Sequence, residues 1–311
     1  MSVKRICLFA AYSSSGRITD YIIFYLKSLS EFADIFYCAD NDFTDAEIDK
    51  IRPFVKDAFY GRHSKYDFGS WAKIIDKIGW DKIAEYDELL LVNDSCFGPL
   101  FSLSSVFEKM DGVKCDVWGI AKNNFLMSFF LCLKKNVFND TKLRQFFEKL
   151  ESSDNKIVFL DYEKELNDIL EKHTCAAFLD KETLKQLYKQ NKKFVRKSLR
   201  SVFPWPLRWF LRIRTNKLRL YDNEALLLPL LGFPFLKKAA FLNATSLIPT
   251  YGLKFVKNCT DYDPTLISSI LPKECTGKQS FLKYLSERVR LIIERNKYHL
   301  MKHFSKNIPK R

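Results

Sequence analysis

From residue 5 onward the chain alternates short, wholly apolar runs with longer stretches whose apolar residues recur every three or four positions. RICLFAAY (5–12), ADIFYCAD (33–40), KDAFYGRH (56–63) and DELLLVND (87–94) are runs of strand length. Between them, ITDYIIFYLKSLSEF (18–32), FTDAEIDKIRPF (43–54) and DFGSWAKIIDKIG (67–79) carry helical spacing. Thr19 is the expected N-cap of the first helix, Thr44 and Glu47 form a candidate capping box for the second, and Gly79 ends the third. Further on, CDVWGIA (115–121) and SFFLCLKKNVF (128–138) predict two more strands, and TKLRQFFEKLESS (141–153) and DYEKELNDILEKH (161–173) two more helices. Leu166, Ile169 and Leu170 share one face of the last.

Strands separated by single helices predict an α/β domain whose mainly parallel sheet has helices on both faces. Ligands of such sheets bind beyond the carboxyl ends of the strands. Asp40, the turn over 62–67 and Asn93-Asp94 all fall at such ends.

Past residue 180 the pattern changes. Residues 1–180 hold 23 Lys and Arg against 29 Asp and Glu, residues 181–219 hold 13 against one, and residues 220–311 hold 15 against seven. The overall charge of +14 is therefore the property of the back half, which reads as an anion-docking part behind an acidic body. These boundaries give three expected regions: a nucleotide-binding and catalytic domain over 1–180, a basic aromatic surface segment over 181–220, and a mostly helical region with a basic tail over 221–311. In FPWPLRWFLRIR, Trp205 and Trp209 are four apart, as are Arg208 and Arg212, and Pro204 and Pro206 delay any regular helix to Leu207. Rings beside cations suit an anionic membrane surface. Nucleic acid attracts the same charges, but no recognition-helix, RNA-recognition or zinc-finger signature is present, so no nucleic-acid partner is expected. The final stretch, 280–311, reads as a basic amphipathic helix.

The apolar fraction of 47% is enough for a large core, and no run reaches the ~20 apolar residues of a membrane span. The opening MSVKRICLFAAYSSSG has too short an apolar stretch for a secretory signal, which predicts a cytoplasmic protein. Eight cysteines, none within four residues of another, make neither a zinc ribbon nor a redox pair; those at 7, 38, 96, 115 and 132 read as small core residues.

Four places could carry chemistry. Asp67, at a helix start, is either an N-cap, with Trp71 buried behind it, or a ligand for a sugar or ribose hydroxyl. Asn93, Asp94 and Ser95 end a buried strand, where they make either a turn or an anchor for a divalent cation on a diphosphate. Glu163 in DYEKE is either an ordinary acid of a helix N-terminus or a general base. His299 and His303, four apart, could share a metal on a helix face, but so basic a tail disfavours it. Neither a Ser-His-Asp arrangement, nor a P-loop, nor GxGxxG occurs.

The series YDFGSW (66–71), YDELLLVNDSCFGPL (86–100), DVWG (116–119), SFFLCLKKNVF and GFPFLKK (232–238) resembles the rhamnan synthesis protein F family, over about residues 3 to 270. That family acts in bacterial surface-polysaccharide assembly, including O-antigen, lipopolysaccharide and rhamnose-rich wall polymers. The resemblance implies a divergent GT-A-like, Rossmann-type glycosyltransferase. On it, Asn93-Asp94-Ser95 stands where DxD ends the fourth strand, and Asp94 holds the donor diphosphate directly or through Mg²⁺ or Mn²⁺, the metal being optional. Tyr12 and Asp40 contact the nucleoside, Asp67 the donor sugar, and Glu163 takes the base position of inverting members. Two departures bear on the donor: RHSKYD (62–67) replaces the family's Asn- and Gly-containing block, and FLMS (125–128) replaces His-x-Gln-Ser.

The combined expectation is an inverting transferase moving L-rhamnose from dTDP-L-rhamnose to a lipid-linked glycan. It would lie peripherally on the inner face of the cytoplasmic membrane, beside other polysaccharide-synthesis transferases. A different donor sugar, or a catalytically dead membrane-bound scaffold of the same fold, are the alternatives.

Overall fold

The computed structural model describes residues 3–151, 156–203, 214–242 and 248–272. Trp205, Arg208, Trp209, Arg212, Cys275, His299, His303 and the stretch 280–311 lie outside those residues.

The chain runs β1 (Arg5–Ala11), α1 (Asp20–Ser30), β2 (Asp34–Ala39), α2 (Asp45–Asp49), β3 (Asp57–Tyr60), α3 (Tyr66–Ile83) and β4 (Glu88–Asn93). A two-residue β5 (Cys96–Phe97) is followed by α4 (Ser104–Asp111), β6 (Val117–Ala121), β7 (Phe130–Lys134), α5 (Lys135–Phe138), α6 (Thr141–Glu148), α7 (Lys156–Leu170) and β8 (Cys175–Leu179). The back half contributes α8 (Lys181–Val202), β9 (Leu236–Lys237), α9 (Lys238–Phe241), α10 (Ile248–Cys259) and α11 (Thr265–Ser268). The seven-stranded sheet has the order β3-β2-β1-β4-β7-β6-β8.

The mainly parallel sheet expected from the sequence is present, with one reversal. β7 runs antiparallel to both β4 and β6, while β8 pairs parallel with β6. The reason lies in chain length: residues 122–129 are too few for the crossover of a dozen or more that a parallel pair needs. Alternation along β1 divides the core. Cys7, Phe9 and Ala11 face α1, α4 and the back half, whereas Ile6, Leu8 and Ala10 face α3, α6 and α7. Helices therefore cover both faces of the sheet.

Several elements were not anticipated, among them α4, β5 and β9. CAAFL forms edge strand β8, and the first half of the basic segment forms α8, capped by Asp180, whose carboxylate accepts from Thr183 N (2.8 Å). Leu184, Val195, Leu199 and Val202 of α8 enter the same apolar cluster as β1 and β4. The expected caps at Thr19 and Thr44 make no side-chain capping bond. Instead of closing a capping box, Glu47 accepts from the backbone N–H of Ile18 (2.7 Å) and from Lys50 (2.7 Å), which ties down the loop after β1. At Gly79 (φ 80°, ψ 153°) α3 does not end but bends into one further turn.

Among the described residues, no helix is long and apolar enough to cross a membrane. The described cysteines are unpaired, and 7, 38, 96, 115 and 132 are buried as expected.

Candidate active site

The site is assembled at the carboxyl end of β4. Trp71 of α3 is fully buried and donates its indole N–H to Val92 O (3.1 Å). One helical turn earlier, Asp67 therefore faces Asn93, whose Nδ2 donates to the Asp67 carboxylate (2.6 Å). Asp67 is not the N-cap, because that position is Lys65 and the helix begins at Tyr66. Asn93 Oδ1 in turn accepts from Ser95 N (3.1 Å) and Ser95 Oγ (2.6 Å). Burial, then the nearby charge of Asp94, pushes the Asp67 carboxyl up to about 7, against the opposing pull of Lys237, Lys238 and the Asn93 bond.

Asp94 is buried and ion-paired with Lys238 Nζ (2.9 Å), and it accepts a hydrogen bond from Tyr21 OH (3.2 Å). Burial and the Asp94 charge push the Tyr21 phenol well up, which keeps it a donor toward the carboxylate. Lys238 also donates to Tyr21 OH (2.9 Å). Its neighbour Lys237 donates to Ser95 Oγ (2.7 Å) and lies 3.9 Å from the centroid of the Phe129 ring.

Both lysines arrive through a ladder between distant segments. β5 pairs antiparallel with β9, Cys96 opposite Lys237 and Phe97 opposite Leu236, and Lys238 N donates to Ser95 O (3.0 Å). Gly98 (φ 140°) permits this approach, since a Cβ there would sit 2.5 Å from Pro234 O. GFPFLKK was legible only as a motif; nothing in it assigned a role to Lys237 or Lys238.

Two cavities flank this junction. One of about 760 Å³ is lined by Asp67, Asn93, Ser95, Glu163, Lys237 and Lys238, with Phe125, Met127, Phe129, Leu160 and Leu242 as its apolar wall. Ser128 Oγ donates to Glu163 Oε1 (2.7 Å), which fixes that carboxylate toward the cavity. Ser128 is the last residue of FLMS, the segment read only as a departure. The second cavity, about 590 Å³, is lined by Tyr12, Ser13, Ser14, Ser15, Tyr21 and Asp94 among others. Lys238 lines both.

The structure thus brings Asp67, Asn93, Ser95 and Glu163 to one cavity and Tyr12 and Asp94 to the other. Asp40 lines neither. Its Oδ1 accepts from His63 N (2.6 Å) and Ser64 N (3.0 Å), clamping the 62–64 turn, from which Arg62 lies over the Tyr12 ring (5.4 Å). The turn is strained, with Ser64 and Tyr66 both at φ 54°.

A divalent cation needs several oxygen ligands. Among the described residues no three His, Cys, Asp or Glu side chains are grouped to hold one. Asp94, the expected ligand, already has Lys238 on its Oδ2, and Ser95 has Lys237 on its Oγ. This donor set does not fit the cation that the DxD position implies.

The family model described as rhamnan synthesis protein F matches residues 35–189, a narrower span than the motifs suggested. The match takes in Asp40, Asp67, Asn93-Asp94-Ser95 and Glu163, and leaves out Tyr12 and both lysines. No curated protein matches the chain. Among solved structures, S. aureus TarS 1-349 is 15% identical, covering 86% of this chain and 90% of its own, with a TM-score of 0.37. A candidate nucleotide-diphospho-sugar transferase from Desulfovibrio desulfuricans G20 is 13% identical, covering 57% and 80%, with a TM-score of 0.32. Over residues 35–189, then, the chain matches the rhamnan synthesis protein F family to which its motifs point.

Proposed function

We propose that this chain is an inverting glycosyltransferase that moves L-rhamnose from dTDP-L-rhamnose to a lipid-linked glycan in surface-polysaccharide synthesis. The observation that carries the reading is the pair of cavities joined at Lys238, one polar and one bearing a carboxylate on an apolar wall. The nucleoside lies beside Tyr12 and the serines of 13–15, and the diphosphate lies at the junction beside Asp94 and Lys238. The sugar enters the larger cavity beside Asp67, Asn93 and Ser95. Asp40 acts at one remove, by holding the turn that carries Arg62.

Glu163 accepts the proton of the acceptor hydroxyl. The acceptor oxygen attacks the anomeric carbon in line as the bond from that carbon to the phosphate oxygen breaks, and its electron pair leaves with the nucleoside diphosphate. One in-line displacement inverts the anomeric centre. The choice of rhamnose rests on the match to the rhamnan synthesis protein F family.

The membrane reading is supported by α8. Its apolar residues enter the core, while Lys185, Lys189, Lys192, Lys193, Arg196 and Lys197 are exposed together with Phe194. Arg214 and Arg219, by contrast, are paired with Glu224, so that part of the basic segment is neutralised within the protein. Each surface cation contributes about 1 kcal/mol on an anionic leaflet. Replacing Lys192, Lys193 and Lys197 with Glu should weaken co-sedimentation with anionic vesicles by about 100-fold or more. Unchanged binding, or equal binding of the native protein to neutral vesicles, contradicts the docking reading.

The transferase reading is tested by a donor screen with product analysis on the purified chain. Transfer of rhamnose with inversion is expected. A chain that binds no nucleotide sugar in a thermal-shift panel is instead a scaffold of this fold.

A further inference from the structure

We infer that Lys237 and Lys238 take the place of a divalent cation at the donor diphosphate, so that donor binding and transfer proceed without metal. The inference rests on the transferase reading above and concerns the same junction.

The first argument is occupancy. Asp94 Oδ2 is 2.9 Å from Lys238 Nζ and also accepts from Tyr21 OH, while Ser95 Oγ accepts from Lys237 Nζ at 2.7 Å. Asn93 has its Oδ1 committed to Ser95 and its Nδ2 to Asp67. A divalent ion on the Asp94 carboxylate would lie within a few ångströms of the Lys238 ammonium, where like charges repel.

The second argument is an unmet charge. Lys237 is 8% exposed, and among the described residues its ammonium has no carboxylate partner, only Ser95 Oγ and the face of Phe129. A lysine is almost never this buried unless it is paired with an anion. It lines the larger cavity beside Ser95, and Lys238 lines both cavities. An anion spanning the junction meets two ammonium groups, which supply the charge of one divalent ion. Asp94 is then the counter-ion that positions Lys238 rather than a metal ligand.

The third argument is geometric. The β5–β9 ladder fixes the backbone of both lysines against Asp94 and Ser95, so the positive charge is in place before the ligand arrives.

The test is calorimetric titration of the full chain with dTDP and with UDP, in excess EDTA and in Mg²⁺ or Mn²⁺, alongside transfer in the same buffers. At least one nucleotide should bind as tightly in EDTA as with metal, and transfer should persist in EDTA. Lys237→Met and Lys238→Met should each weaken binding by about 10- to 100-fold, and Lys238→Arg should recover most of it. Lys82→Met, which removes an exposed ion pair with Glu85 far along α3, should change nothing. Thermal melts of each variant separate a folding defect from a lost contact, and the Arg variant separates charge from packing. Binding or transfer that requires Mg²⁺ or Mn²⁺, or Met variants that are folded and bind as the native chain does, overturns the inference while leaving the transferase reading intact. Failure of every nucleotide and nucleotide sugar to bind, with or without metal, overturns both.

Discussion

The two cavities beside Asn93-Asp94-Ser95 share one lysine and little else. The smaller is built on the loop after β1, walled by serines, Tyr12 and Tyr21, and held by backbone-directed bonds such as Glu47 to Ile18 N. The larger is built on α7 and the β6–β7 connection, with Glu163 set among Phe125, Met127, Leu160 and Leu242. A hydrogen-bonding pocket suits a nucleoside. A half-buried carboxylate oriented by Ser128 beside apolar side chains suits deprotonation of a hydroxyl. On the proposed function, the contrast separates binding from chemistry across a single strand end.

The division can be broken most sharply at Glu163. Glu163→Gln should lower kcat by about 10²- to 10⁴-fold while leaving the affinity for dTDP unchanged. A parallel loss of nucleotide affinity would place Glu163 in the binding pocket instead. Next in size is Gly98→Ala, which forces a Cβ against Pro234 O at φ 140°. It should cost about 1–3 kcal/mol in thermal or urea unfolding and depress both binding and transfer, since both lysines depend on the β5–β9 ladder. A smaller effect belongs to Tyr12, which is half exposed. Tyr12→Ala should weaken dTDP by about 10-fold through lost stacking and leave kcat at saturating donor little changed.

The smallest effect sharpens the comparison by pH. Asp67 titrates at about 7 in the folded chain and near 4 when unfolded. The folded state therefore binds the extra proton between those values. Its contribution to stability is full at the acid end and is lost as pH rises through about 7. An anionic nucleotide sugar raises the proton affinity of Asp67 further, so donor affinity should fall a few-fold as pH rises through about 7. Asp67→Asn should flatten both profiles. Affinity that rises over this range would contradict the assignment of Asp67 beside the bound donor.

The sheet through β4 was legible because strand-length apolar runs alternate with helical periods, and each run became a strand at its expected place. Asp67, at a helix start, and Asn93, at a strand end, were each legible as a candidate; Trp71 is what joins them. The antiparallel β7 needed a count of the residues linking it to β6. β8 and α8 were missed because CAAFL is short and α8 hides four buried residues among a run of lysines. The lysine pair was out of reach for a different reason. Its function depends on a two-residue ladder between segments some 140 positions apart, and no local period encodes such a pairing. Asp94, read as the diphosphate anchor with an optional metal, is paired with a lysine that no local pattern places there.

The most direct measurement is a crystal structure of the full chain with an intact, non-hydrolysable nucleotide sugar. The nucleoside should lie beside Tyr12, the two phosphates on Lys237 and Lys238, and the anomeric carbon open toward Glu163 in the larger cavity. A nucleoside seated among Phe125 and Leu242, or a diphosphate held away from both lysines, would contradict that placement.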